Sequence, residues 1–395
     1  MSVFVKRLVV KNYKSIANCD LSLGDLAFFV GPNGAGKSNI LDSLCFIKDS
    51  LNTNIDNALR ERGGINEVRR RSKGHPTHFG MRVELNLEDS VSATFAFEIV
   101  SKPKGAFQVG RETCEIVKDR IKQFYEIKNG ELVETNIPGP ATPSSEHFYL
   151  LSIAGLRGFK DVYGGLSNMG FYSINPKSIR DLQSPNPGKI LGSDAGNLAS
   201  VLWNLQRDRK TYELITDYLS TIVPSIKSVE RKALGHMETI EFRQGMRGDK
   251  HPWRFHAASM SDGTLRTLGV LTAVFQIADK SPIPLVGIEE PEIALHPAAA
   301  GTLMDALICA SGKKQILITS HSADLLDSSA IGIDQIVAVI FRDGITYAGK
   351  VDEGTVKVLS SQLTSVGELL RLDQIEISSD IFEGPSKQLD LFEEK

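Results

Sequence analysis

The sequence predicts an α/β fold with a mainly parallel core sheet. Three short apolar runs carry that prediction: Ala27-Phe-Phe-Val30, Pro284-Leu-Val-Gly-Ile288 and Gln315-Ile-Leu-Ile-Thr319. Runs this brief and this apolar read as short buried strands. Each ends in polar residues. Gly31 to Ser38 follow the first, Glu289-Glu290-Pro291-Glu292 the second, and Ser320-His321-Ser322 the third. Helical periodicity at 39–47, 198–222 and 265–277 lies between or beside them, so strands and helices alternate along the chain.

The octet Gly31-Pro-Asn-Gly-Ala-Gly-Lys37-Ser38 matches G-x-x-x-x-G-K-[ST], with a strand before it and a helix after it. That context turns a pattern match into a phosphate site. The glycines let backbone N–H groups close around phosphates, and the helix start adds a favourable dipole. Lys37 is expected to reach the β- and γ-phosphates and the Ser38 hydroxyl to sit on Mg²⁺, while Asn33, Gly34, Ala35, Gly36 and Asn39 complete the cradle. A glycine-rich turn that binds nothing is the weaker alternative with the whole octet in place. The chain is expected to be a P-loop NTPase that binds a nucleoside triphosphate.

The remaining elements follow in order. Residues 3–46 hold the first strands, the octet and its helix. Residues 49–74 are polar, with Arg60, Arg62, Arg69, Arg70, Arg71 and Lys73 crowded near Gly63-Gly64. From 78 to 100 apolar and polar residues alternate (Met81, Val83, Leu85, Leu87, then Phe95, Phe97, Ile99), as in half-buried antiparallel strands. Strand patterns at 107–117 and 123–133 come next, the second turning at Asn129-Gly130, a hairpin signal. Stretches 137–145 and 182–192, rich in proline and small residues, are breaks. The run 198–222, with Trp203, Leu205, Tyr212, Ile215 and Leu219, reads as helical and lacks the sustained heptads of a long coiled coil. Ser259-Met-Ser261-Asp-Gly263-Thr-Leu-Arg266 is a Ser/Gly turn opening the helix at 265–277. Beyond His321 come a strand at 335–341, a hairpin around Asp343-Gly344, a helical piece and a polar tail.

Strand-end acids, a second strand-end histidine and a Ser-x-Gly turn before a helix together resemble the ABC-type ATPases. From about 3 to 370 the chain is similar to the head domains of the RecF, structural-maintenance-of-chromosomes (SMC) and overcoming-lysogenization-defect (OLD) ATPases. The opening Leu8-Val-Val-Lys-Asn12-Tyr13-Lys14-Ser15-Ile16 resembles the Asn-aromatic-basic-Ser start of those heads. The resemblance implies one bilobal ABC-type head over 1–373. An antiparallel β lobe with loops would occupy about 75–175, and a short helical insertion 176–225. The Ser/Gly turn, acidic strand and His loop would fall in 226–373, with a flexible tail at 374–395.

The same resemblance implies roles. Mg²⁺ is held through Ser38 and Glu289, where most ABC relatives carry Asp. Glu290 orients and deprotonates the attacking water, and His321 senses the γ-phosphate. Ser261 and Gly263 contact ATP bound to the other subunit, so a homodimer, or a higher even-numbered assembly, clamps two ATPs. A helix cap at Ser261, with Asp262 favouring the helix N-terminus, is compatible with that role. Lys14 and Ser15 touch the nucleotide or are plain surface residues. His296 belongs to a loop making contacts across the dimer, or simply opens a helix at Pro297.

Met-Ser-Asp-Gly-Thr in place of the transporter form Leu-Ser-Gly-Gly-Gln counts against a transporter subunit, as does the lack of a membrane-length apolar run. No signal-peptide profile opens the chain, and a cytoplasmic protein is expected. The four cysteines (Cys19, Cys45, Cys114, Cys309) show no C-x-x-C spacing, so neither a zinc site nor a disulfide framework is indicated. With a net charge of -3 the chain is not globally basic, and DNA contact needs a local patch. Arg69-Arg70-Arg71 is the candidate, a solvated face the alternative.

Too little chain follows His321 for a toprim nuclease. The resemblance therefore implies a separate nuclease or toxin partner in bacterial anti-phage defence. A RecF-like recombination or repair factor is the alternative within the class, and a nucleotide-gated interaction module with little turnover is the alternative outside it. In the tail, Gln388-Leu389-Asp390-Leu391-Phe392 resembles the Gln-Leu-x-Leu-Phe peptide that docks on the bacterial sliding clamp. Leu391 and Phe392 would fill an apolar pocket and Gln388 would hydrogen-bond at its edge. Chance, a tail folded back on its own head, and a different partner are the competing readings.

Overall fold

The computed structural model describes residues 4–72, 76–87, 91–139, 142–245, 251–277, 283–328, 330–360, 364–372, 374–378 and 390–392. In chain order the strands begin with β1 (Val5–Tyr13), β2 (Ile16–Ser22) and β3 (Leu26–Val30). A lobe follows: β4 (His78–Asn86), β5 (Ser92–Ser101), β6 (Phe107–Lys118), β7 (Ile121–Lys128) and β8 (Glu131–Thr135). Next come β9 (Gly170–Tyr172), β10 (Ile226–Leu234), β11 (Met237–Gln244) and β12 (Trp253–His256). The last are β13 (Leu285–Glu289), β14 (Gln315–Ser320), β15 (Ile336–Arg342) and β16 (Ile345–Lys350).

Thirteen of these strands form one mixed sheet in the order β8-β7-β6-β5-β4-β1-β2-β16-β15-β3-β14-β13-β9. The parallel part runs from β15 through β3, β14 and β13 to β9. Its alternating side chains feed two cores. On β3, Ala27 and Phe29 join the core shared with the P-loop helix Lys37–Asn52 and the β lobe. Leu26, Phe28 and Val30 join a second core with helices Asp262–Phe275 and Pro297–Ser311. Phe28 and Phe29 are fully buried, each contributing about 1.5–3 kcal/mol of transfer free energy. Gln315, also fully buried, ties β14 to the start of β1 by bonding Val5 N, Val5 O and Gly24 O at 2.8, 2.9 and 2.7 Å.

The lobe β4–β8 is antiparallel throughout. Its aromatic interior reaches the P-loop helix, since Phe46 lies 5.5 Å from Phe79 and Phe97 lies 4.7 Å from Phe148 between ring centroids.

Three features differ from the sequence expectation. The helical run 198–222 is two helices, Leu198–Leu205 and Arg209–Ile222. Asp208 restarts the second, accepting the Thr211 hydroxyl at 2.6 Å and the Tyr212 N–H at 3.0 Å. Strands β10–β12 form a separate three-stranded antiparallel sheet that sequence reading did not assign. Its inner residues Val229, Ile240 and Phe242 are fully buried against the second core.

The described parts of the 374–395 segment are seated on the head rather than free of it. Ile377 bridges to Val351 and is buried. Leu391 is 2 % exposed, and its carbonyl accepts from Arg82 Nη1 at 3.3 Å. The Arg111 guanidinium lies 4.1 Å from the Phe392 ring centroid. Leu391 fits because Gly80 on β4 lacks a Cβ that would collide with it. Gln388 and Leu389 lie outside the described residues.

Candidate nucleotide-binding and hydrolysis site

Parallel register brings the three polar strand ends to one edge. Val30 is level with Ser320 and Thr319 with Glu289, so the P-loop, the His321 loop and the acidic turn all leave the sheet at its carboxyl end. Crevices at that end are where open α/β sheets bind ligands.

The P-loop is built on two left-handed glycines, Gly34 (φ 79°) and Gly36 (φ 100°). Gly36 is required twice over: its conformation disfavours other residues, and a Cβ there would collide with Thr346. Lys37, 5 % exposed, donates to its own loop carbonyls, Gly31 O at 2.8 Å and Pro32 O at 3.0 Å. Burial pulls its pKa down, while the charges of Glu290 and Glu292 oppose that shift. A polar chain secures the loop from the β1–β2 turn and β16. Asn39 Nδ2 donates to Ser15 Oγ at 2.6 Å, Ser15 Oγ pairs with Thr346 Oγ1 at 2.7 Å, and Thr346 Oγ1 donates to Ala35 O at 2.9 Å.

Ser15 is thus integral to the loop. Lys14 points elsewhere, pairing with Asp42 at 2.6 Å beside the Tyr13 hydroxyl and Arg62. Asn33, Gly34 and Ser38 are exposed at the mouth, whereas Ala35 is buried.

At the acidic turn Glu289 and Glu290 are half-buried. Glu290 has a left-handed backbone (φ 44°), its N–H donates to Thr319 O at 2.9 Å, and its Oε1 lies 3.1 Å from His321 Nδ1. This pairing joins the two residues predicted to be catalytic. Glu292 was not predicted, although it stands in the same Glu-Glu-Pro-Glu run. It is buried, and its Oε1 accepts the Ser320 hydroxyl at 2.6 Å; Ser320 Oγ in turn accepts the Ser322 N–H at 3.0 Å. Desolvation pushes the Glu292 carboxyl up.

Ser261 caps the helix Asp262–Phe275, its Oγ accepting the Thr264 N–H at 3.3 Å. The turn is held by Arg180, which bonds Met260 O at 3.1 Å and pairs with Asp262. Gly263 lies against Ala294 O with no room for a Cβ. His296 caps the helix at Pro297, its Nδ1 accepting the Ala298 N–H at 3.2 Å.

The Arg69–Arg71 run is laid against the β1–β2 turn. Tyr13 bridges to Arg69, and Arg70 N donates to Asn12 O at 2.8 Å. Arg69 bonds Pro76 O and Asn66, and Arg71 pairs with Glu67, so two of the three side chains are already engaged within the head.

The donor set fits a nucleotide with a hard cation. Ser38 and Glu289 offer oxygen ligands, and no group of three His, Cys, Asp or Glu residues among those described forms a metal cage. Glu292 Oε2 on the acidic turn and Thr319 Oγ1 on β14 are among the buried side-chain atoms with no partner among the described residues.

A family model described as "AAA domain, putative AbiEii toxin, Type IV TA system" matches residues 134–327, and one described as "AAA ATPase domain" matches residues 4–134. The OLD nuclease of Thermus scotoductus (strain ATCC 700910 / SA-01) is 52 % identical over 40 residues. That match covers 10 % of this chain and spans 8 % of the nuclease's length. Among solved structures, an SMC head bound to the C-winged helix domain of ScpA superposes with a TM-score of 0.56 at 15 % identity, over 90 % of this chain and 99 % of that one. The Pyrococcus furiosus SMC head with an extended coiled coil, bound to the C-terminal domain of ScpA, gives 0.51 at 13 % identity over 91 % and 100 %.

Proposed function

From a chain that is an ABC-type ATPase head of the SMC and OLD-like group, we propose a protein that binds and hydrolyses ATP and closes as a dimer around two nucleotides. Through that cycle it controls a DNA-directed process, anti-phage defence together with a separate nuclease or toxin. The single observation behind the catalytic part is the Glu290–His321 contact of 3.1 Å at the strand edge that also carries the P-loop. The defence role draws support from the toxin-related family description and the short OLD nuclease match.

ATP is the substrate. The backbone N–H groups of 33–38 cradle its phosphates, and Lys37 exchanges Gly31 O and Pro32 O for phosphate oxygens. Mg²⁺ bound through Ser38 and Glu289 would neutralise charge between the β- and γ-phosphates. Glu290 takes the proton of the attacking water, and His321, held by Glu290, donates to a γ-phosphate oxygen. Ser261 and Gly263 close the facing subunit's site.

Glu290→Gln is expected to keep ATP affinity while turnover falls roughly 10²- to 10⁴-fold, the usual cost of losing a positioned general base. Lys37→Ala is expected to lose nucleotide binding. Calorimetric titration and phosphate release measure the two effects, and wild-type turnover in Glu290→Gln would remove Glu290 from the role. Plaque counts on cells carrying the gene with its neighbours, compared with the Glu290→Gln version, test the defence role.

A further inference from the structure

Glu292 and Arg266 have no part in the chemistry above, yet each leaves one buried atom unpartnered among the described residues, Glu292 Oε2 and Arg266 Nε. One is an acceptor and the other a donor, and they carry opposite charges. Arg266 stands in the second turn of the helix that Ser261 caps. Side chains on a helix lean towards its N-terminus, so Arg266 lies over the Asp262-Gly263 turn. That turn rests on Ala294 O, two residues beyond Glu292. Burial disfavours the Arg266 charge, and Asp262, Glu290 and Glu292 are the carboxylates that favour it.

On its other side, Glu292 holds the His321 loop. Its bonded oxygen takes the Ser320 hydroxyl at 2.6 Å, and Ser320 Oγ takes the Ser322 N–H at 3.0 Å, so the residues on both sides of His321 are fixed through one carboxylate.

We propose that Arg266 is a positioning residue that couples the Ser261 turn to the catalytic pair. When that turn is drawn onto the nucleotide of the facing subunit, Arg266 closes on the free oxygen of Glu292. The Glu292–Ser320 bond then sets His321 against Glu290. Each subunit's hydrolysis is thereby made conditional on its own Ser261 turn being engaged. The inference rests on the ATPase reading and deepens it.

The test is a double-mutant cycle of Arg266→Gln and Glu292→Gln, read as kcat and KM for ATP, with melting curves confirming that each variant folds. Each single variant is expected to lower kcat roughly 10- to 100-fold with KM little changed, as small misplacements of catalytic groups do. The double variant should be no slower than the worse single one, because both break one link. Arg266→Lys should recover part of kcat. In the Glu290→Gln background, Arg266→Gln should leave ATP-dependent dimerisation intact on light scattering. Multiplicative losses in the double variant would overturn the coupling, as would wild-type kcat in Arg266→Gln. Loss of the ATP-dependent dimer would overturn it too, because Arg266 would then be a nucleotide contact across the interface. A wild type that neither hydrolyses ATP nor dimerises would instead overturn the ATPase reading beneath it.

Discussion

Glu290 holds a left-handed backbone (φ 44°), costly for a residue with a Cβ and tolerated where neighbours enforce it. Here the Thr319 carbonyl pins its N–H and His321 meets its carboxylate. A motif names the residue type at this position, but only the sheet register supplies the partner. Glu112 makes the same point away from the site. Fully buried on β6, it accepts Tyr125 Oη at 2.6 Å, Tyr149 N at 2.7 Å and Leu150 N at 2.9 Å. Desolvation outweighs those bonds and pushes its carboxyl from 4.5 to about 7. The folded state then binds the proton more tightly than the unfolded chain between those two values. Stability attributable to Glu112 should fall as pH rises through that window, by roughly 3 kcal/mol at most. Urea unfolding at pH 4.5 and pH 7.5 should show this slope in wild type and a flatter one in Glu112→Gln. Identical slopes would mean the carboxyl titrates normally.

At the scale of elements, those legible in the sequence carry their own local signal. β3, β13 and β14 each contain a short apolar run, the P-loop helix follows its glycines, and β7 and β8 turn at Asn129-Gly130. The β10–β12 sheet was not legible, because charged residues interrupt its apolar alternation, as in Val229-Glu-Arg-Lys-Ala233, and the second core, not the strand itself, selects which face is buried. The polar composition of the tail predicts a free segment, yet Leu391 is seated at Gly80 and Phe392 on Arg111. Docking on a sliding clamp would require both side chains to leave that seat. Leu391→Asp should release the tail, since burying a leucine is worth about 1.5–3 kcal/mol. Limited proteolysis should cut the tail of that variant roughly ten- to a hundred-fold faster than that of wild type. Equal rates would show that the seat does not hold in solution.

For the whole molecule, the decisive property is assembly. Among the described residues the Ser261 side chain bonds its own helix, and Arg180 holds the turn through Met260 O; the dimer reading has the turn's outer side meet the partner's nucleotide. Glu290→Gln with ATP should therefore double in mass on light scattering, and adding Ser261→Arg should abolish the shift while nucleotide binding persists. A mass independent of ATP in both variants would sink the dimer. No helix among the described residues is long and apolar enough to cross a membrane.

The sequence by itself determined the fold class, the P-loop motif and the polar strand ends to which the proposed chemistry is assigned. Those signals are local, a strand, a turn and a helix being written within about twenty contiguous residues. Tertiary structure decided the rest. It placed Glu290 beside His321, tied Ser15 to Thr346 across 331 positions, and turned Lys14, Arg69 and Arg71 towards partners of their own. Parallel pairing aligns segments hundreds of residues apart, and such a register is set by the sum of two cores rather than by any stretch of chain.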